Sequence, residues 1–76
     1  MFSLDDLHAA ARLVHAAMPP TPQYRWPGLS ARAGCEVIVK HENHTPTGAF
    51  KVRGGITYLD ALARAEPECP GLVTAT

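Results

Sequence analysis

One lysine in this chain sits on the side of its helix where a lysine is least expected. Winding the residues from Phe50 onward at ~100° each gathers Arg53, Thr57, Asp60 and Arg64 on one side, at steps of four, three and four. Val52, Ile56, Leu59 and Ala63 line another face. Lys51 falls with Gly55, Tyr58 and Leu62 on the apolar arc, nearly opposite the polar stripe. The positive end of the helix and burial among Phe50, Val52 and Tyr58 would disfavour the ammonium form there. A neutral amine is a nucleophile toward an aldehyde and a base toward a carbon acid. The pattern leaves a second reading open, in which the stem of Lys51 packs on apolar surface and its head reaches solvent.

The other reactive side chains make weaker constellations. His41, Glu42 and His44 lack the second histidine at the fourth position that a zinc-peptidase helix needs, because that position is Thr45, so they read as solvated loop residues and no metal is expected. His8 and His15 lie one heptad apart without partners. Neither Lys40 nor Lys51 follows a glycine, which excludes the phosphate-loop nucleotide motif. Tyr24, Arg25 and Trp26, beside Pro27, read as cover for a domain edge. Cys35 and Cys69 read as reduced, packed thiols.

These groups need elements to position them. Ser3 with Asp6 three residues on marks an N-cap, and Leu4, Leu7, Ala11, Val14 and Met18 continue as an amphipathic helix over 4–18. Pro19-Pro20 ends it, and residues 19–27 read as loop. Pro27 can open a short helix through Leu29 to Ala33 that Gly34 terminates in a left-handed conformation. Glu36 to Lys40 reads as a strand whose apolar centre, Val37-Ile38-Val39, suits burial on both faces of a parallel sheet. Residues 41–48 form a loop, the reactive helix runs on to Pro67, and residues 72–76 read as a second strand. The result is a βαβ unit with parallel strands and a right-handed crossover, giving an α/β fold class with an open, mainly parallel sheet. Ligands of such sheets collect beyond the strand ends, where the 41–48 loop and the amides of about 48–51 would face an anion.

Composition narrows the partners. Seven basic residues balance seven acidic ones, so no field concentrates nucleic acid or anionic lipid. Without an apolar run of ~18 residues no membrane span is expected, and the absence of a readable export signal gives the cytoplasm as the default compartment. A chain of 76 residues buries only ~60% of its unfolded surface. A parallel sheet is normally covered on both faces, which so few elements cannot do, so residues 1–76 read as an N-terminal part of something larger, with no complete domain boundary visible.

The segment Thr45-Pro46-Thr47-Gly48-Ala49-Phe50-Lys51-Val52-Arg53-Gly54-Gly55 resembles the stretch around the Schiff-base lysine of fold-type II pyridoxal-phosphate enzymes, especially the threonine and serine dehydratases. Lys40-His41-Glu42-Asn43, Thr21-Pro22, Leu29-Ser30 and the 72–76 segment fit flanking landmarks of the same family. The resemblance implies pyridoxal phosphate as cofactor, Lys51 as the catalytic lysine that binds it, and Phe50 as its neighbour in the cofactor-binding segment. It also implies a small amino-acid substrate, a homo-oligomeric enzyme, and β-elimination from threonine or serine to a 2-oxo acid and ammonia. β-Replacement, threonine synthesis and racemisation use the same lysine, and a small α/β binding module without activity is the alternative outside catalysis. Ala49 stands where the family commonly has serine, which bears on substrate contacts more than on the cofactor.

Overall fold

A computed structural model describes residues 1–74. The first element, α1 (Leu4–Ala17), starts at a reciprocal cap. The Asp6 amide donates to the Ser3 hydroxyl at 3.1 Å, and the Asp6 carboxylate accepts from the Ser3 amide at 2.8 Å. These bonds favour the charged form and hold the Asp6 carboxyl below its ordinary value, the Ser3 amide being the larger cause. At the far end Met18 takes an extended conformation ahead of Pro19 and Pro20.

The chain then enters β1 (Gln23–Arg25), where the sequence predicted only loop. Pro22 and Pro27 flank this strand rather than interrupt it, a placement that leaves every ladder donor intact. After β1 comes α2 (Pro27–Ala33), with Pro27 in its first turn and Gly34 capping it at φ 74°, as the sequence indicates. Ser30 ties α2 to the segment beyond Gly34, its hydroxyl accepting the Val37 amide at 2.9 Å. The second strand, β2 (Ile38–Lys40), pairs antiparallel with β1 in the register Gln23 to Lys40, Tyr24 to Val39 and Arg25 to Ile38.

The parallel pairing expected between residues 36–40 and 72–76 is therefore replaced by an antiparallel hairpin-like pair joined through α2. Closing the short span from β1 to β2 costs less chain entropy than reaching a distant strand. Leu72 to Thr74 form no strand, and the rest of the predicted strand, residues 75–76, lies outside the described residues. The chain keeps its mixed α/β character, with three helices and one two-stranded sheet among the described residues.

A 3-10 turn at Glu42–His44 follows β2, and α3 (Val52–Ala65) completes the order. This last helix begins at Val52, so residues 48–51 form turns ahead of it instead of its first turn. It crosses α1 through the side carrying Arg53, Gly54 and Thr57, which face Leu7, Ala11 and Val14 across a shallow cleft. The packing does not follow the polar and apolar faces: Val52, Ile56 and Leu62 are half-buried, but so is most of the polar stripe. Arg53, Thr57 and Asp60 are half-buried, whereas Tyr58 and Leu59 of the apolar arc are 59% and 47% exposed.

Burial is correspondingly slight. Val14 and Met18 are the buried apolar residues among those described. The Cα radius of gyration is 16.4 Å, against about 11 Å for a compact chain of this length. Both cysteines are free thiols, and Cys35 is exposed rather than packed.

Candidate active site

Two devices build the loop between β2 and α3. The first is Thr45, which is 7% exposed. Its hydroxyl accepts the Ala49 amide at 2.9 Å and donates to the Ala49 carbonyl at 2.8 Å. Between them the backbone turns at Gly48, whose φ of 75° favours a residue without a Cβ. The second device is Glu42. Arg53 grips its carboxylate with two parallel bonds, Nε to Oε2 at 2.7 Å and Nη2 to Oε1 at 2.9 Å. The Thr21 hydroxyl donates to the same carboxylate, and the Lys40 ammonium stands 3.7 Å from Oε1. Bonds from Arg53 first and Thr21 second hold the Glu42 carboxyl at about 2, below its ordinary 4.5.

Glu42 is thus the junction of four segments, not the solvated loop residue the sequence suggested. Its role could have been sought in the sequence through Arg53, the one cation besides Lys51 in the lysine motif. The helical wheel instead assigned Arg53 to a solvent face. Thr21 and Thr45, both buried, were likewise invisible as structural hydroxyls.

Lys51 sits immediately before α3, exposed, with its backbone carbonyl accepting the Gly55 amide at 3.0 Å. Two clefts meet at it. One, of about 480 Å³, is lined by Thr47, Ala49 and Val52; the other, of about 590 Å³, is lined by Tyr58, Leu59 and Leu72. Lys51, Gly55 and Thr74 line both. The amine of Lys51 makes no hydrogen bond or ion pair among the described residues, in contrast to Lys40, which donates to the Thr21 carbonyl at 3.3 Å. Phe50 is 61% exposed and lines neither cleft; its carbonyl accepts the Arg53 amide at 3.1 Å. The burial expected for Lys51 among Phe50, Val52 and Tyr58 is not seen among the described residues: Lys51 is exposed, and Phe50 and Tyr58 are 61% and 59% exposed.

The remaining sequence candidates gather elsewhere. The Trp26 indole donates to His41 Nε2 at 3.0 Å, and the His41 ring lies 5.4 Å from Tyr24 and 5.6 Å from His44 between centroids. Tyr24 and Trp26, expected to pack over a domain edge, are 53% and 43% exposed here and contact chiefly this ring cluster. Among the described residues no three His, Cys, Asp or Glu side chains converge on a metal position. No helix among them is long and apolar enough to cross a membrane.

The family model described as "Pyridoxal-phosphate dependent enzyme" matches residues 14–76, which include the whole loop and α3. The chain belongs to the pyridoxal-phosphate-dependent enzymes. Within that family, threonine synthase of Mycobacterium leprae (strain TN) is similar, with 45% identity over 47 residues. The match covers 60% of this chain and 13% of that protein, so the chain spans a small part of the curated relative's length. No solved structure matches. The chemistry at the loop suits the family's cofactor: an aldehyde needs a primary amine free of competing partners, and among the described residues Lys51 has one at the meeting of two clefts.

Proposed function

We propose that Lys51 is the lysine that binds pyridoxal phosphate, and that the chain is the lysine-bearing part of a larger catalytic domain acting at Cα and Cβ of a small amino acid. One observation carries this reading. Of the two lysines, Lys40 is engaged by Thr21 and Glu42, while the Lys51 amine is unengaged among the described residues and opens on both clefts. The 13% coverage of the relative and the exposed Tyr58, Leu59 and Leu72 support a larger domain that would cover this face.

When bound, pyridoxal phosphate supplies an electron sink for the negative charge left at Cα by proton removal. This chain's part is to hold and move that proton. Lys51 Nζ would hold the cofactor and, as a free amine, would be the base that takes the Cα proton. Thr45 and Gly48 shape the turn that presents it, and Glu42 with Arg53 fastens the start of α3 beneath it.

Loss of water from threonine or serine, giving a 2-oxo acid and ammonia, is the reaction suggested by the motif. Formation of threonine is the second reading, and the 45% identity to a protein named threonine synthase favours it. Either enzyme must handle the Cα proton of threonine. Incubating the intact, cofactor-loaded protein with threonine in D2O separates the two readings: Cα exchange with release of 2-oxobutyrate marks dehydration, and exchange without release marks threonine formation. A Lys51→Ala variant that keeps even about a tenth of the exchange, only ~1.4 kcal/mol of barrier, overturns the role of Lys51.

A further inference from the structure

We infer that Glu42 decides which of the chain's two lysines reacts with an aldehyde, by engaging Lys40 so that Lys51 is the amine left available among the described residues. The inference rests on the reading of Lys51 as the cofactor lysine and names the residue that sets its selectivity. Lys40 and Lys51 flank the same loop, one ending β2 and the other just before α3, so a small aldehyde reaching that edge could meet either amine. They differ in what holds them. The Lys40 amine lies between the Thr21 carbonyl, to which it donates at 3.3 Å, and the Glu42 carboxylate at 3.7 Å, so an aldehyde has to displace both contacts to reach it. On its other side the same carboxylate binds Arg53, two residues beyond Lys51, and so fixes the end of the loop while leaving the Lys51 amine clear. Thr21 closes the arrangement with a hydroxyl bond to Glu42. Glu42 is therefore a positioning residue: it lines neither cleft, engages Lys40 directly and reaches the Lys51 segment only through Arg53.

The test uses the full chain, limiting pyridoxal phosphate, borohydride to fix the adduct, and peptide mapping to divide label between Lys40 and Lys51. In the unmodified chain Lys51 carries most of the label. Glu42→Gln keeps the shape but removes the charge, and the Lys40 share rises about two- to fivefold, the range expected for loss of a partly exposed ion pair. Arg53→Gln leaves Glu42 to Lys40, and the Lys40 share stays low. That difference separates the role of Glu42 from loss of fold, which would expose Lys40 equally in both variants. A Lys40 share unmoved in Glu42→Gln, or raised equally in both variants, overturns the inference and leaves Lys51 as the cofactor lysine. An unmodified chain with no label on Lys51 overturns instead the reading of Lys51 on which the inference depends.

Discussion

Arg53 holds Glu42 at both carboxylate oxygens, 2.7 and 2.9 Å away, across a loop that carries Lys51 just before the arginine. Pairing of this planar kind is specific to the fork of a guanidinium, which a lysine at position 53 could not reproduce.

The pair should be acid-resistant. Glu42 has a folded value of about 2 against an ordinary 4.5, so its charged form is favoured by folding. A depressed value contributes stability that is fully present above 4.5 and is lost as pH falls through about 2. A carbon-detected titration of the side-chain carboxyls should show one glutamate with its midpoint near 2, and that signal should be missing in Glu42→Gln. A Glu42 midpoint near 4.5 contradicts the bidentate geometry.

Thr45 should matter through its hydroxyl and not through its bulk. Both of its side-chain bonds go to Ala49, and the residue is buried. Thr45→Val keeps the volume and removes both bonds, leaving the Ala49 amide without its partner while the Ala49 carbonyl keeps the Thr47 hydroxyl at 3.4 Å. Amide exchange at Ala49 should speed up by about fivefold, equivalent to ~1 kcal/mol, while Thr45→Ser stays near the original rate. Equal rates in all three proteins would show that the turn is held by something else.

Gly48 offers a purely conformational test. A Cβ there would meet nothing within 4 Å, so Gly48→Ala introduces no clash, but φ of 75° remains unfavourable for alanine. A loss of about 1–2 kcal/mol in a urea titration is expected, with Gly48→Asn losing less. Wild-type stability in Gly48→Ala would mean that the loop relaxes to another backbone path.

Trp26 is the single tryptophan of the chain and reports directly on His41. Its indole donates to His41 Nε2 at 3.0 Å, with the ring centroids 5.7 Å apart. His41→Ala removes both the acceptor and the neighbouring ring. The emission should shift to the red and become more accessible to acrylamide, whereas His44→Ala should leave it nearly unchanged.

Local chemistry was the legible part of this sequence. The Ser3–Asp6 cap, the Pro27 start and the Gly34 stop are settled within a few residues, and each occurs as read. The features that escaped depend on partners far along the chain. The strand at Gln23–Arg25 is too short to show a period, and its flanking prolines look like loop. On a helical wheel Arg53 falls in the polar stripe, so its partial burial is not legible there. Glu42, eleven residues earlier, pulls it inward, and Gly54 and Thr57 follow it against α1. The lysine motif marked Lys51 itself, but a motif states neither that Lys40 is engaged nor that two clefts converge on Lys51.

The reach of the Glu42 contacts also bears on when this loop takes shape. Thr21 and Arg53 lie only 21 and 11 residues from Glu42, and Lys40 is closer still. Closing loops of about ten residues takes on the order of 10–100 ns, and contacts of low sequence separation favour rapid folding. The geometry around Lys51 can therefore assemble from its own neighbourhood early in folding, ahead of any docking that covers Tyr58 and Leu59. The reactive amine would then be in position before its surroundings are finished.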